Sequence, residues 1–173
     1  MALSACNSGD PKSASNPSSS RPSTTPTAVS PSPSSLVDAE SAAVLAAYSN
    51  SWTAHTEAYS KASSADTDLK KNTTFEALAD IENNLSAMRK AGQVTTGKPV
   101  LHPKVIKVTD AKIPTAMVKD CVDTTHWTLI DKASKRKVPL PTTRLVKYVS
   151  TATLEKWGTK WMVTKLAAQD QPC

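Results

Sequence analysis

The stretch from Arg144 to Leu166 constrains the fold of this chain most, because it is written as two strands and a turn. Val146, Tyr148, Ala152 and Leu154 fall on one side of a period-two pattern, and Lys147, Thr151, Thr153 and Glu155 on the other. Trp157-Gly158-Thr159-Lys160 supplies a turn, and Trp161-Met162-Val163-Thr164 begins a returning strand. That turn sets Leu154 opposite Val163. A lone hairpin is marginal in water, so this one needs further strands and an apolar layer on its dry face. Helices upstream are the expected source of that layer.

Val44, Tyr48, Trp52, His55 and Tyr59 recur at steps of three and four, which predicts a helix from about Ala39 to Ala62, N-capped by Asp38 and ended at Ser63-Ser64-Ala65-Asp66. His55 lies on the apolar stripe, either as a pocket acid or base tuned near neutrality or as a packed histidine donating to a neighbour. A second helix opens on the capping-box pattern Thr73-Thr74-Phe75-Glu76. Phe75, Leu78, Ile81 or Glu82, Leu85 and Met88 mark its buried face, and it ends on Arg89-Lys90 and Gly92. Phe75 and Met88 read as core.

Gly97, Pro99 and Pro103 limit any strand between Gly92 and Pro103 to an edge or a short piece. Val105 to Val108 reads as a strand, Asp110 to Pro114 as a turn, and Thr115 to Val122 as a second strand continuing, bent, through Trp127 to Ile130. The basic run from Lys132 to Lys137 reads as a solvated hairpin tip. Asp120, Asp123 and His126 stand near one another, but on a strand Asp123 points away from Asp120, so no metal site and no cofactor is expected. The net charge of +6 is spread among acidic residues without an Arg/Lys stripe and interleaved aromatics, which argues against a nucleic-acid partner. No stretch is long and apolar enough to cross a membrane as a helix.

The amino end differs in kind. Leu3-Ser4-Ala5-Cys6 resembles the lipobox of bacterial lipoproteins, in which the cysteine receives the lipid. The resemblance implies that residues 1–6 are the remnant of a signal whose charged and apolar regions do not precede the box here. It also implies lipidation of Cys6 and attachment to the extracytoplasmic face of the cell membrane. Residues 7–37 are rich in Ser, Pro and Thr and carry too little apolar surface to offset the entropy of ordering, so a stalk is expected, of about 90 Å if fully extended. Such a tract also suits O-glycosylation. In an exported domain the two remaining cysteines, Cys121 and Cys173, are expected to pair.

Residues 38–173 then form one domain, two helices followed by antiparallel strands, which is an α+β order. This tract resembles small secreted lipoproteins of actinobacteria with a nuclear transport factor 2-like cone. The likeness is carried by Ala46-Ala47-Tyr48 and Trp52, by Gly97-Lys98-Pro99-Val100-Leu101, by Val118-Lys119-Asp120-Cys121, and by Leu154 to Trp157 with Trp161 to Thr164. It implies N-terminal helices packed on a curved sheet, with Tyr48, Trp52, His55 and Tyr59 at a pocket between them. The fold hosts binding and assembly domains as well as enzymes. A lipid-held domain on a stalk is expected to be non-catalytic, binding a small apolar ligand or serving as an accessory protein of the envelope, with an envelope protein or a second copy as partner. The alternative is an isomerase, cyclase or dehydratase-like enzyme using His55.

Overall fold

The computed structural model describes residues 33–173, with side chains from residue 37 onward. Cys6 and the stretch 1–32 lie outside the described residues. The elements run α1 (Pro33–Lys61), α2 (Leu69–Asn72), α3 (Phe75–Lys90), β1 (Gln93–Gly97), β2 (Lys104–Thr109), β3 (Thr115–Asp123), β4 (Trp127–Asp131), β5 (Lys147–Trp157) and β6 (Lys160–Ala168). The fold is α+β, with helices packed against antiparallel sheets.

Four strands form the main sheet in the order β2-β3-β5-β6. The hairpin β5–β6 sits in the expected register, Leu154 opposite Val163, and a bulge between Thr153 and Leu154 adds one residue to β6. The next pairing sets Val118 of β3 opposite Ala152 and Val122 opposite Tyr148. Inward side chains of these strands, Val118, Val122, Ala152, Leu154 and Val163, meet Val44, Tyr48 and Trp52 of α1 in the largest core cluster. Burying such side chains, each worth about 1.5–3 kcal/mol, fixes α1 across the sheet. Leu69 of α2 and Ile81 and Leu85 of α3 form a second cluster against Ala54 and Ala58 on α1.

Several expectations are corrected. Helix α1 begins at Pro33, so Asp38 lies inside it rather than capping it, and the stalk expected over 7–37 gives way to helix over its last five positions. Proline at the first helical position loses no hydrogen bond and has its φ preset, which suits it to that start. Helix α3 begins one residue later than the capping-box pattern requires, with Thr74 as N-cap and no capping side-chain bond. Thr73 is drawn elsewhere, its hydroxyl bonded to that of Ser51 at 2.9 Å, while the Thr74 N–H donates to the Val163 carbonyl. The chain is sewn to β6 there. Phe75 consequently takes a left-handed φ of +50° and points outward, 61% exposed, its ring against Trp157 at 5.3 Å. Val146, expected on the dry face, is 45% exposed because β5 begins after it.

The stretch Trp127–Asp131 does not prolong β3. It leaves the main sheet and pairs with β1 as a separate two-stranded sheet, Gln93 opposite Asp131 and Gly97 opposite Trp127. Gly97 has φ +76°, and a Cβ there would stand 1.9 Å from the His126 carbonyl oxygen, so only glycine permits this approach. The tip after β4 is solvated, with Asp131 accepting from the Ser134 N–H and hydroxyl. A disulfide joins Cys121 of β3 to Cys173, 52 positions apart in sequence, with 5.8 Å between Cα atoms.

Candidate functional site

The stripe on α1 meets two different environments. Tyr48 is buried and its hydroxyl donates to Asp120 Oδ2 at 2.9 Å. Asp120 Oδ1 accepts from the His102 N–H at 2.6 Å. Burial raises the Asp120 carboxyl above the usual range, against the pull of these bonds, and burial with the neighbouring Asp120 raises the Tyr48 hydroxyl. Tyr48 therefore closes the interior and does not line the pocket that its neighbours form.

One turn on, the side chains are aromatic and largely unbonded. The Trp52 and His55 rings stack at 4.9 Å, and Tyr59 meets His55 at 4.4 Å. Trp127 closes the group from β4, at 5.6 Å from His55, 5.4 Å from Tyr59 and 6.0 Å from Trp52. Edge and tilted contacts of this kind stabilise beyond the area they bury. Both ring nitrogens of His55 and the Trp127 indole nitrogen are buried without a hydrogen-bond partner among the described residues. Trp52 Nε1 lies beside the Tyr48 hydroxyl without reaching bonding geometry. Thus His55 is packed, as one sequence reading held, but donates to no neighbour.

Trp52, His55, Tyr59 and Trp127 line a pocket of about 210 Å³ between α1, α3 and the sheet. Tyr148 and Ser150 of β5 and Ile81 of α3 complete its walls, and the exposed Asp80 and Asn84 of α3 reach it from solvent. Burial pushes His55 down to about 3, so the imidazole is neutral across physiological pH. Burial pushes Tyr59 up to about 12 and raises Tyr148. The interior of the pocket thus holds neutral groups only.

A larger hollow of about 650 Å³ lies between the start of α1 and β2. Within it Glu40 accepts from Lys156 and from the Trp161 indole N–H. The smaller pocket is the better candidate because five aromatic side chains, Trp52, His55, Tyr59, Trp127 and Tyr148, wall it. Asp123, weighed for metal binding, accepts from Thr125 and pairs with Lys147 at 2.9 Å, and these bonds hold its carboxyl well below the usual range. No cluster suited to a metal ion occurs among the described residues.

The sequence pattern marked Trp52, His55 and Tyr59 through helical spacing and left Trp127 and Tyr148 out of the site. Tyr148 had a signal, its place on the dry face of β5. Trp127 had none, because it arrives through the pairing of β4 with β1, distant in sequence.

No protein family and no curated protein matches the chain. Eleven chains of solved structures resemble it. One is the crystal structure of the intermembrane space region of chloroplast protein ARC6, with a TM-score of 0.49 and 12% identity over 74% of this chain and 95% of that one. Nothing about that protein's role is carried over at this level of likeness.

Proposed function

We propose that residues 38–173 form a nuclear transport factor 2-like cone that binds a small ligand without transforming it, displayed beyond the cell membrane on a lipid attached to Cys6. The observation that carries the binding reading is the pocket itself, a concave space walled by the rings of Trp52, His55, Tyr59, Trp127 and Tyr148. The catalytic alternative has weaker support. His55, at about 3, is far from the poise a general acid or base needs near neutrality, and no carboxylate bonds to either ring nitrogen.

A protein partner through the sheet is the second reading. On β3 and β5, Lys119 stands opposite Thr151, Met117 opposite Thr153 and Thr115 opposite Glu155. That face is mixed rather than apolar and favours partner docking less than the pocket favours a ligand.

Native mass spectrometry of the protein purified without unfolding tests the binding reading. A companion mass lost in His55→Trp supports it, and an unaccompanied chain that no small molecule stabilises against heat removes it. Membrane attachment is tested separately: Cys6→Ser in the precursor expressed with its signal should move the protein from the membrane fraction to the medium.

A further inference from the structure

The net charge of the chain looks dispersed along the sequence, yet the fold gathers it at one end. Helix α3 closes on Arg89 and Lys90. The Gly92 N–H donates to the Arg89 carbonyl and the Lys132 N–H to the Gly92 carbonyl, so the basic turn after β4 is held against the end of that helix. Within the turn Lys135 and Arg136 bond to Asp131 through their backbones, and Lys137 bridges to Ile130. Six cations, Arg89, Lys90, Lys132, Lys135, Arg136 and Lys137, thus share one pole, and all six are exposed.

Little at that pole neutralises them. Asp131 is the one carboxylate on these segments, and it is taken up by the Ser134 N–H and hydroxyl. The end of α1, which Arg89 reaches through the Ala62 carbonyl at 2.8 Å, adds Lys61 with its partner Glu57, and Asp66. None of the six cations is ion-paired among the described residues, whereas six lysines elsewhere are. Outside the six and Asp131, residues 33–173 carry thirteen Lys and Arg against thirteen Asp and Glu. The whole charge excess of the domain therefore stands at this pole. Arg89 and Lys90 suit the negative end of α3. The four cations of the turn have no such role, and their mutual repulsion opposes folding.

The make-up of the pole restricts its partner. A protruding turn does not enclose a single small anion. No large apolar side chain is exposed on residues 89–92 or 131–137, so the pole has neither the apolar centre of a protein interface nor a wedge for a bilayer. No aromatic side chain stands on these segments for a nucleic-acid base to stack on. What remains is charge, and a partner held by charge alone must present many anions in a row. Position argues against the membrane that a lipid on Cys6 would enter. The chain from Cys6 joins the domain at Pro33, and α1 then runs 29 residues, about 43 Å, before it reaches the basic pole.

We propose that this pole binds a linear polyanion, a polymer with a phosphate or carboxylate in each repeat, lying across the turn after β4 and the end of α3. None of the six cations lines the aromatic pocket, so the two sites are independent.

The test is calorimetric titration of the full 173-residue chain with long-chain inorganic polyphosphate, and in parallel with orthophosphate, polydeoxythymidylate and vesicles of phosphatidylcholine and phosphatidylglycerol. Polyphosphate should bind, its affinity falling about 10²-fold between about 50 and about 200 mM salt as the cations release the polymer's counterions. Lys132→Gln with Lys135→Gln should weaken binding about tenfold or more at the lower salt and reduce the slope of log affinity against log salt by about 1.4. Lys104→Gln with Lys119→Gln removes the same charge from exposed positions of β2 and β3 and should weaken binding about twofold at most, since distant charges are screened. Both double variants should melt with the parent, because exposed substitutions of this kind cost little. Absence of polyphosphate binding at the lower salt, or an equal loss from the two double variants, overturns the proposal. Orthophosphate, vesicles or polydeoxythymidylate bound as tightly as polyphosphate at equal phosphate concentration also overturns it, in favour of a small anion, a bilayer or a nucleic acid.

Discussion

Two buried polar residues meet the same helix face seven positions apart, at Tyr48 and at His55, and they are resolved differently. Asp120, which receives Tyr48, is 2% exposed and bonded through both oxygens; His55, 6% exposed, bonds through neither nitrogen. Burial alone does not separate them. The partner count does: Asp120 is a closed structural joint and the His55 end is not. Low exposure of a histidine on an apolar stripe is thus no guide to its use until its nitrogens have been accounted for.

Four experiments sharpen or break this contrast. The largest effect should come from removing the disulfide next to the joint. Cys121→Ala with Cys173→Ala opens a 52-residue separation, expected to cost about 4 kcal/mol in denaturant unfolding if the gain is chain entropy. Next, Asp120→Ala leaves the Tyr48 hydroxyl and the His102 N–H without their acceptor and should cost about 3 kcal/mol; a loss under 1 kcal/mol would mean that the joint is no more settled than the His55 end.

A third test uses acid. The unfolded chain protonates His55 near 6.5 and the folded protein only near 3. Between those values the unfolded state binds more protons, so stability is complete above about pH 6.5 and declines as pH falls, on the order of 1 kcal/mol per pH unit. Asp120, raised in the fold, works oppositely: its contribution is present below the ordinary carboxylate range and is lost as pH rises through its folded value. Comparing melts of the parent and His55→Phe between pH 7 and 4 isolates the histidine, and parallel curves would contradict its burial as a neutral ring. The smallest effect is at neutral pH, where His55→Phe should leave stability unchanged or raise it by about 1 kcal/mol, because it removes unpaired buried nitrogens.

What the sequence displayed, and what it hid, follows the range of the interactions. The Leu154–Val163 register was legible because a four-residue turn fixes it locally. The α1 stripe was legible because its period is local too. The capping box over Thr73–Glu76 misled because a long-range bond to Ser51 and the stitch to β6 outweighed a local cap. Trp127 was the costliest omission: β4 continues the apolar character of β3, and nothing near it announces that its partner is Gln93–Gly97. The candidate site was therefore half readable, its helical wall from periodicity and its far wall only from the pairing.

Gly97 does not line the pocket, yet it governs the room the rings enclose. By lacking a side chain it lets the backbone at His126 close in, and Trp127 follows as the next residue. Any replacement would displace that carbonyl and carry the indole with it, so a survey of pocket-lining positions would overlook the site where the pocket's size is most easily altered. A swap to alanine there would act as a change of gauge, widening or collapsing the chamber without altering one atom of its lining.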